Sequence, residues 1–265
     1  MVNRAPVVFI HGLWIHASAW EPWIELFREA GYEPIAPGWP GDLNTVAATR
    51  KNASALANRG VAEITSSYAD VIRELDQKPI VIGHSFGGLV AQKLLGDDLA
   101  SAAVAIDSAA MKGVDKVTLP VIRSSFPVIS KSSNKTRAVS LTEKQFRYGF
   151  GNTLSKSESS QLYEKFAIPG PALPLFELVG SKKDPLAPTA VNTSNSTRGP
   201  LLLTGGDKDH TVAEAVTRLE YERYADSGAI TNYKVFANRG HSLVLDHGWR
   251  EVADYTLAWL GRQSL

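Results

Sequence analysis

The pentapeptide Gly83-His84-Ser85-Phe86-Gly87, with Gly88 directly after it, decides how the rest of the chain is read. Before it, Lys78-Pro79-Ile80-Val81-Ile82 is a short β-branched run with the character of a buried strand. After it, Leu89 to Leu95 reads as a helix with one apolar face. The pentapeptide therefore occupies a sharp turn from strand into helix. In that context G-x-S-x-G marks an exposed nucleophile rather than a chance pattern. Small residues flank the serine because the backbone is tight and strained there. Such a turn pushes the Ser85 hydroxyl clear of the sheet edge. It also aims the Phe86 N–H, at the helix start, toward the reaction centre.

The same alternation runs outward in both directions. On the N-terminal side, residues 7–10 form an apolar strand, His11-Gly12-Leu13-Trp14 a loop, and residues 17–30 a helix with Trp20, Trp23, Ile24 and Phe27 on one side. Residues 32–37 are a second strand, weakened by two prolines, and Gly38-Trp39-Pro40-Gly41-Asp42 is a loop. Residues 43–60 are loop with a short helix, and 61–75 is an amphipathic helix. On the C-terminal side, Ala102 to Ile106 is a strand ending at Asp107. Residues 200–204 and 231–236 are further strands, each followed by a loop and a helix, at 212–224 and 249–260. Alternating strands and helices imply right-handed crossovers and a parallel sheet. Its site lies at the carboxyl ends of the strands, where His11 to Trp14, Ser85, Asp107, Asp209 and His241 all fall.

Between residues 110 and 198 the alternation stops. Prolines, Ser/Asn/Thr clusters and scattered aromatics replace it, with short helices expected at 142–150 and 157–166. The segment is too long for a structureless loop inside a compact domain. It reads as a helical cap or lid, leaving 1–109 and 199–265 as the core.

Composition narrows the function classes. The 265 residues are 44% hydrophobic and 21% charged, with net charge +1. These values are ordinary for a soluble globular protein and give no electrostatic case for nucleic acid or a membrane surface. The absence of cysteine excludes disulfides and a thiolate nucleophile. The apolar run at 7–10 is too short for a signal peptide or a membrane span, so a cytoplasmic protein is expected. The sequence is compatible with a monomer or a homodimer.

A serine nucleophile needs a base, and of six histidines His241 is the best placed, in a Gly-His-Ser turn after the last strand. His84 adjoins Ser85, but neighbours in a tight elbow point apart, so it packs beneath the turn. His11 belongs to the first loop, His16 is a candidate for the pocket entrance, and His247 is assigned to the surface. His210 is the competitor. The base needs a carboxylate to fix its tautomer. Asp209 is assigned that role, with Asp107 and Asp207 as open alternatives. Two backbone N–H groups should hold the oxyanion. Phe86 supplies one; Leu13 supplies the other, with Trp14 as the alternative. Trp14 and Trp39 are the expected substrate-binding residues. No His/Glu pair stands at metal-ligand spacing, and neither metal nor organic cofactor is expected.

Taken together, His11-Gly12, Gly83-x-Ser85-x-Gly87, Gly206-x-x-Asp209 and Gly240-His241 resemble the α/β-hydrolase fold superfamily. The order Ser, Asp, His is that superfamily's order. The resemblance covers nearly the whole chain outside 110–198, and extends to α/β hydrolases of actinobacterial type with a His-Gly-Leu-Trp opening. It implies a mostly parallel sheet flanked by helices. The usual antiparallel hairpin does not precede residue 7, so about six strands are expected. Dehalogenases and epoxide hydrolases of this fold carry Asp at the elbow, where this chain has Ser85. Plant hydroxynitrile lyases need a lysine where this chain has Ser242. The resemblance thus implies a serine hydrolase of carboxylesterase type acting on a small apolar ester or lactone, without cofactor. Two other readings share the scaffold: a carbon–carbon hydrolase or lyase using the same triad, and a ligand receptor with slow turnover.

Overall fold

Six short apolar segments form one parallel sheet in the computed structural model, which describes residues 5–116 and 118–265. The strands are β1 (Pro6–Ile10), β2 (Glu33–Ile35), β3 (Ile80–His84), β4 (Ala102–Ile106), then β7 (Leu201–Gly206) and β8 (Thr231–Phe236), with the short β5 (Ala138–Val139) and β6 (Gly170–Pro171) between them. The order across the sheet is β2-β1-β3-β4-β7-β8. β1, β3 and β4 are buried at every residue, which is why they read as unbroken apolar runs rather than alternating ones. Pro34 and Pro37 confine β2 to three residues at the sheet edge.

The helices on the faces are α1 (Glu21–Glu29), α2 (Val46–Lys51), α3 (Val61–Arg73), α4 (Phe86–Gly96), α9 (Glu214–Glu222) and α10 (Trp249–Arg262). The segment expected to be helical from residue 17 begins as a 3-10 turn over Ala17–Trp20, and Pro22 starts α1 proper. Trp20, Trp23 and Phe27 from this segment pack on Phe9 of β1, with ring centroids 4.9–6.0 Å apart. Burying side chains of this size contributes about 1.5–3 kcal/mol each. Trp23 also donates its Nε1 proton to the Val244 carbonyl, tying α1 to the loop that carries His241.

Between β4 and β7 lie α5 (Leu119–Ile129), α6 (Glu143–Gly149), α7 (Lys156–Phe166) and α8 (Leu173–Gly180). The two helices expected here correspond to α6 and α7. α5 and α8 were not anticipated, because α5 contains two prolines and α8 one, which read as breakers. In both, one proline occupies the first turn, where its missing N–H leaves no bond unmade. The insertion is laced to the loop after β1. His16 donates to Phe166 O, Ile168 donates to Trp14 O, and Trp14 Nε1 donates to Val139 O. Its last residues run along α4, where Lys93 reaches Ala190 O and Asn195 reaches Gly96 O. Among the described residues, no helix is long and apolar enough to cross a membrane.

Candidate active site

Ser85 joins β3 to α4 with φ 57° and ψ −123°, a conformation that side chains rarely adopt. Its backbone is over-determined: Ser85 N donates to Ile106 O, and Ser85 O accepts from Gly88 N and Ala109 N. The flanking glycines are sterically required. A Cβ at Gly83 would lie 2.0 Å from Gly87 O, and one at Gly87 would lie 2.2 Å from Ile10 O. Trp14 (φ 68°) and Asp107 (φ 44°) are strained in the same way, so three neighbouring strands end in unusual backbone at this edge.

His241 follows β8 and is fully buried. Its Nδ1 lies 2.6 Å from Asp209 Oδ2, and its Nε2 meets no hydrogen-bond partner among the described residues. The other Asp209 oxygen accepts from the N–H groups of Thr211 and Val212. Two rings pack against the imidazole: His84, tilted by 44°, at 4.6 Å and Phe150, at 68°, at 4.8 Å between centroids. His84 donates its Nε2 proton to the His241 carbonyl, joining the elbow to the loop after β8. Burial pushes the His241 imidazole down to about 3, which leaves it neutral and able to accept a proton. Ser242 is engaged elsewhere, donating to Asp246, which also binds Arg239. This fixes the loop on the C-terminal side of His241.

Asp107 and Asp209 are not alternatives in space. β4 and β7 are adjacent, and both acids reach the same imidazole, with Asp107 Oδ2 3.9 Å from His241 Nδ1. Asp107 Oδ1 accepts from Gly206 N, while Oδ2 is buried without a donor. Asp207 faces away, accepting from Asn238 N and pairing with Lys208.

Gly12 lets the first loop close against the elbow: a Cβ there would lie 2.8 Å from the Ser85 Cβ. Neither the Leu13 nor the Phe86 N–H is taken up by an acceptor of the protein among the described residues. Trp14, the alternative donor, has its carbonyl and ring both engaged with the β4–β7 insertion.

A cavity of about 450 Å³ opens above Ser85 and Phe86. Its walls are mostly apolar and include Trp14, Phe150, Leu141, Leu175 and Val212. Trp14 thus stands where a substrate would pack. Trp39 does not: it stacks on His11 at 5.0 Å, is 3% exposed, and is absent from the cavity lining. Its loop is folded under by the contact between His11 Nε2 and Asp42 Oδ2 at 2.9 Å, which corrects its expected role in substrate binding. His16 is likewise turned inward, onto Ser18 and Leu43 O, and does not line the cavity. His210 faces Tyr148 O rather than Asp209 or Ser85, and the exposed His247 binds Glu158. Phe150, one of the scattered aromatics of 110–198, stands against His241 at the end of α6.

His84, Asp107 and His241 place donor atoms within 4.8 Å of one another. The geometry already commits two of these side chains inward, His84 Nε2 to a carbonyl and His241 Nδ1 to Asp209.

The family model described as Alpha/beta hydrolase family matches residues 7–255. The chain belongs to that family. Among solved structures, a monoacylglycerol lipase from Paleococcus ferrophilus is 21% identical with TM-score 0.69, covering 98% of this chain and 95% of the other. An extracellular α/β-hydrolase from a Paenibacillus species is 20% identical with TM-score 0.65, covering 96% and 98%. A methylesterase from Arabidopsis is 15% identical with TM-score 0.66, covering 97% and 99%. At these identities the likenesses speak for the fold. No curated protein matches the sequence. As an alpha/beta hydrolase the chain has the six parallel strands expected of it.

Proposed function

We propose that this hydrolase is a serine carboxylesterase acting through an acyl-enzyme on Ser85. The observation that carries the reading is the buried 2.6 Å pair of His241 Nδ1 and Asp209, with His241 Nε2 left free next to the elbow that presents Ser85. Ser85 Oγ attacks the carbonyl carbon and His241 Nε2 takes its proton. Asp209 orients the ring and stabilises the imidazolium that forms. The N–H groups of Leu13 and Phe86 hold the oxyanion. His241 then returns the proton to the departing alcohol, and water repeats the sequence on the acyl-enzyme. The apolar cavity takes a small acyl group, with Trp14 against it, and residues 110–198 act as the cap that shapes it. Relatives in fold include a monoacylglycerol lipase and a methylesterase, whose substrates are esters by name.

The test is hydrolysis of p-nitrophenyl esters from acetate to octanoate by the wild type and by Ser85→Ala. Turnover reduced about 10³-fold or more in the variant supports the reading. The chain-length optimum then sizes the acyl site. A wild type that neither hydrolyses these esters nor reacts at Ser85 with a fluorophosphonate overturns it.

A further inference from the structure

Two buried carboxyl groups converge on one imidazole nitrogen. Asp209 Oδ2 is 2.6 Å from His241 Nδ1 and accepts its hydrogen bond; Asp107 Oδ2 is 3.9 Å away. Asp107 is fully buried, its Oδ1 accepts from Gly206 N, and its Oδ2 receives no hydrogen bond among the described residues. The neighbouring carboxyl is that of Asp209: both acids reach the same nitrogen, and each perturbs the other. Two carboxylates in contact inside a protein repel strongly, and the arrangement is stable when one proton lies between them.

The groups around the pair do not relieve a second negative charge. His241 and His84 lie within reach, Tyr233 feels Asp107 from β8, and Arg239 is the cation that acts on it. Arg239 is already bound to Asp246 and Glu251. His241 and His84 are both held toward the neutral form by burial.

We propose that Asp107 is a positioning residue for the triad: its Oδ2–H donates a hydrogen bond to Asp209, and the two acids share one proton. The pair then carries a single negative charge, seated on Asp209, where Thr211 and Val212 also donate. Asp107 thereby restrains the carboxylate that orients His241. Burial raises both carboxyls: Asp107 goes well above the usual carboxylate range with Asp209 adding to the rise, whereas Asp209 rises to about 8 against the donors Val212, Thr211 and Asp107, so the shared proton sits on Asp107. The inference rests on the reading of His241 as base and Asp209 as its partner.

Asparagine has the shape and the hydrogen bonds of a protonated aspartic acid, with Oδ1 for Gly206 and Nδ2–H for Asp209. Leucine has neither. Asp107→Leu is expected to lower kcat about 10²-fold with KM little changed, and Asp107→Asn to recover kcat to within about 3-fold of wild type. The infrared difference spectrum of wild type minus Asp107→Asn at pH 7 is expected to contain the carbonyl stretch of a protonated carboxylic acid. That band reports the shared proton whether or not the leucine variant folds. Three results overturn the proposal: no such band, Asp107→Asn as inactive as Asp209→Asn, or Asp107→Leu with wild-type kcat. Stoichiometric labelling of Ser85 by a fluorophosphonate is measured alongside. Its failure would remove the hydrolase reading, while the infrared band would still decide on the proton.

Discussion

Gly12 stands so close to Ser85 that a Cβ on residue 12 would lie 2.8 Å from the Ser85 Cβ and 3.0 Å from His84 O. Both partners belong to the strained elbow, which leaves little room to yield. Gly12→Ala is therefore expected to push the first loop outward and move the Leu13 N–H off the oxyanion position. The expected loss in kcat is about 10²-fold, the scale of one lost oxyanion donor. Urea denaturation should show about 1–3 kcal/mol of destabilisation from overpacking. A variant with wild-type kcat would take the Leu13 amide out of the mechanism.

The acid limb of kcat/KM is expected below pH 6.5, the ordinary imidazole value. Burial between His84 and Phe150 lowers His241 to about 3. A lowered value means that the neutral, proton-accepting form persists as the pH falls, so esterase activity at pH 5.5 should remain near its plateau. A pH–rate profile on one p-nitrophenyl ester decides this. A limb at or above pH 6.5 would mean that the Asp209 charge outweighs burial of the ring.

Glu220 anchors the chain where it leaves the core for the β4–β7 insertion. It is fully buried, accepts from Met111 N at 3.0 Å and from Gln92 Nε2 at 3.1 Å, and burial raises it to about 8. Because the folded value lies above the unfolded one, its contribution is fully present below about pH 4.5 and is lost as the pH rises through about 8. Glu220→Gln resembles the neutral form and does not titrate. Its stability relative to wild type should therefore improve steadily from pH 5 to pH 9. Glu220→Leu strands the Met111 and Gln92 donors and should cost about 2–4 kcal/mol at pH 7. Thermal melts of the three proteins across that range test both statements, and a pH-independent difference between Gln and wild type would refute the titration.

Much of the fold was legible because its signals are local. The buried strands around Ser85 are continuous apolar runs, and a buried parallel strand needs nothing more. The turn at Ser85 announces itself because only glycine fits beside it. α5 and α8 were illegible for the converse reason. Pro120 and Pro174 look like breakers in a bare sequence, yet they cost nothing in a first helical turn.

The sequence by itself determined the parallel sheet, the edge on which the chemistry-bearing residues gather, and the residue types offered there. Those follow from periodicity and from strand–helix order, which are properties of neighbours along the chain. Tertiary structure alone decided how those residues relate. Asp107 and Asp209 compete in sequence but stand together in space, because β4 pairs with β7 across an insertion of some ninety residues. Trp14 and Trp39 look equivalent in sequence, yet one lines the cavity and the other is stacked on His11. In both cases the deciding contacts join residues distant along the chain, and only the packing of the elements that carry them sets those distances.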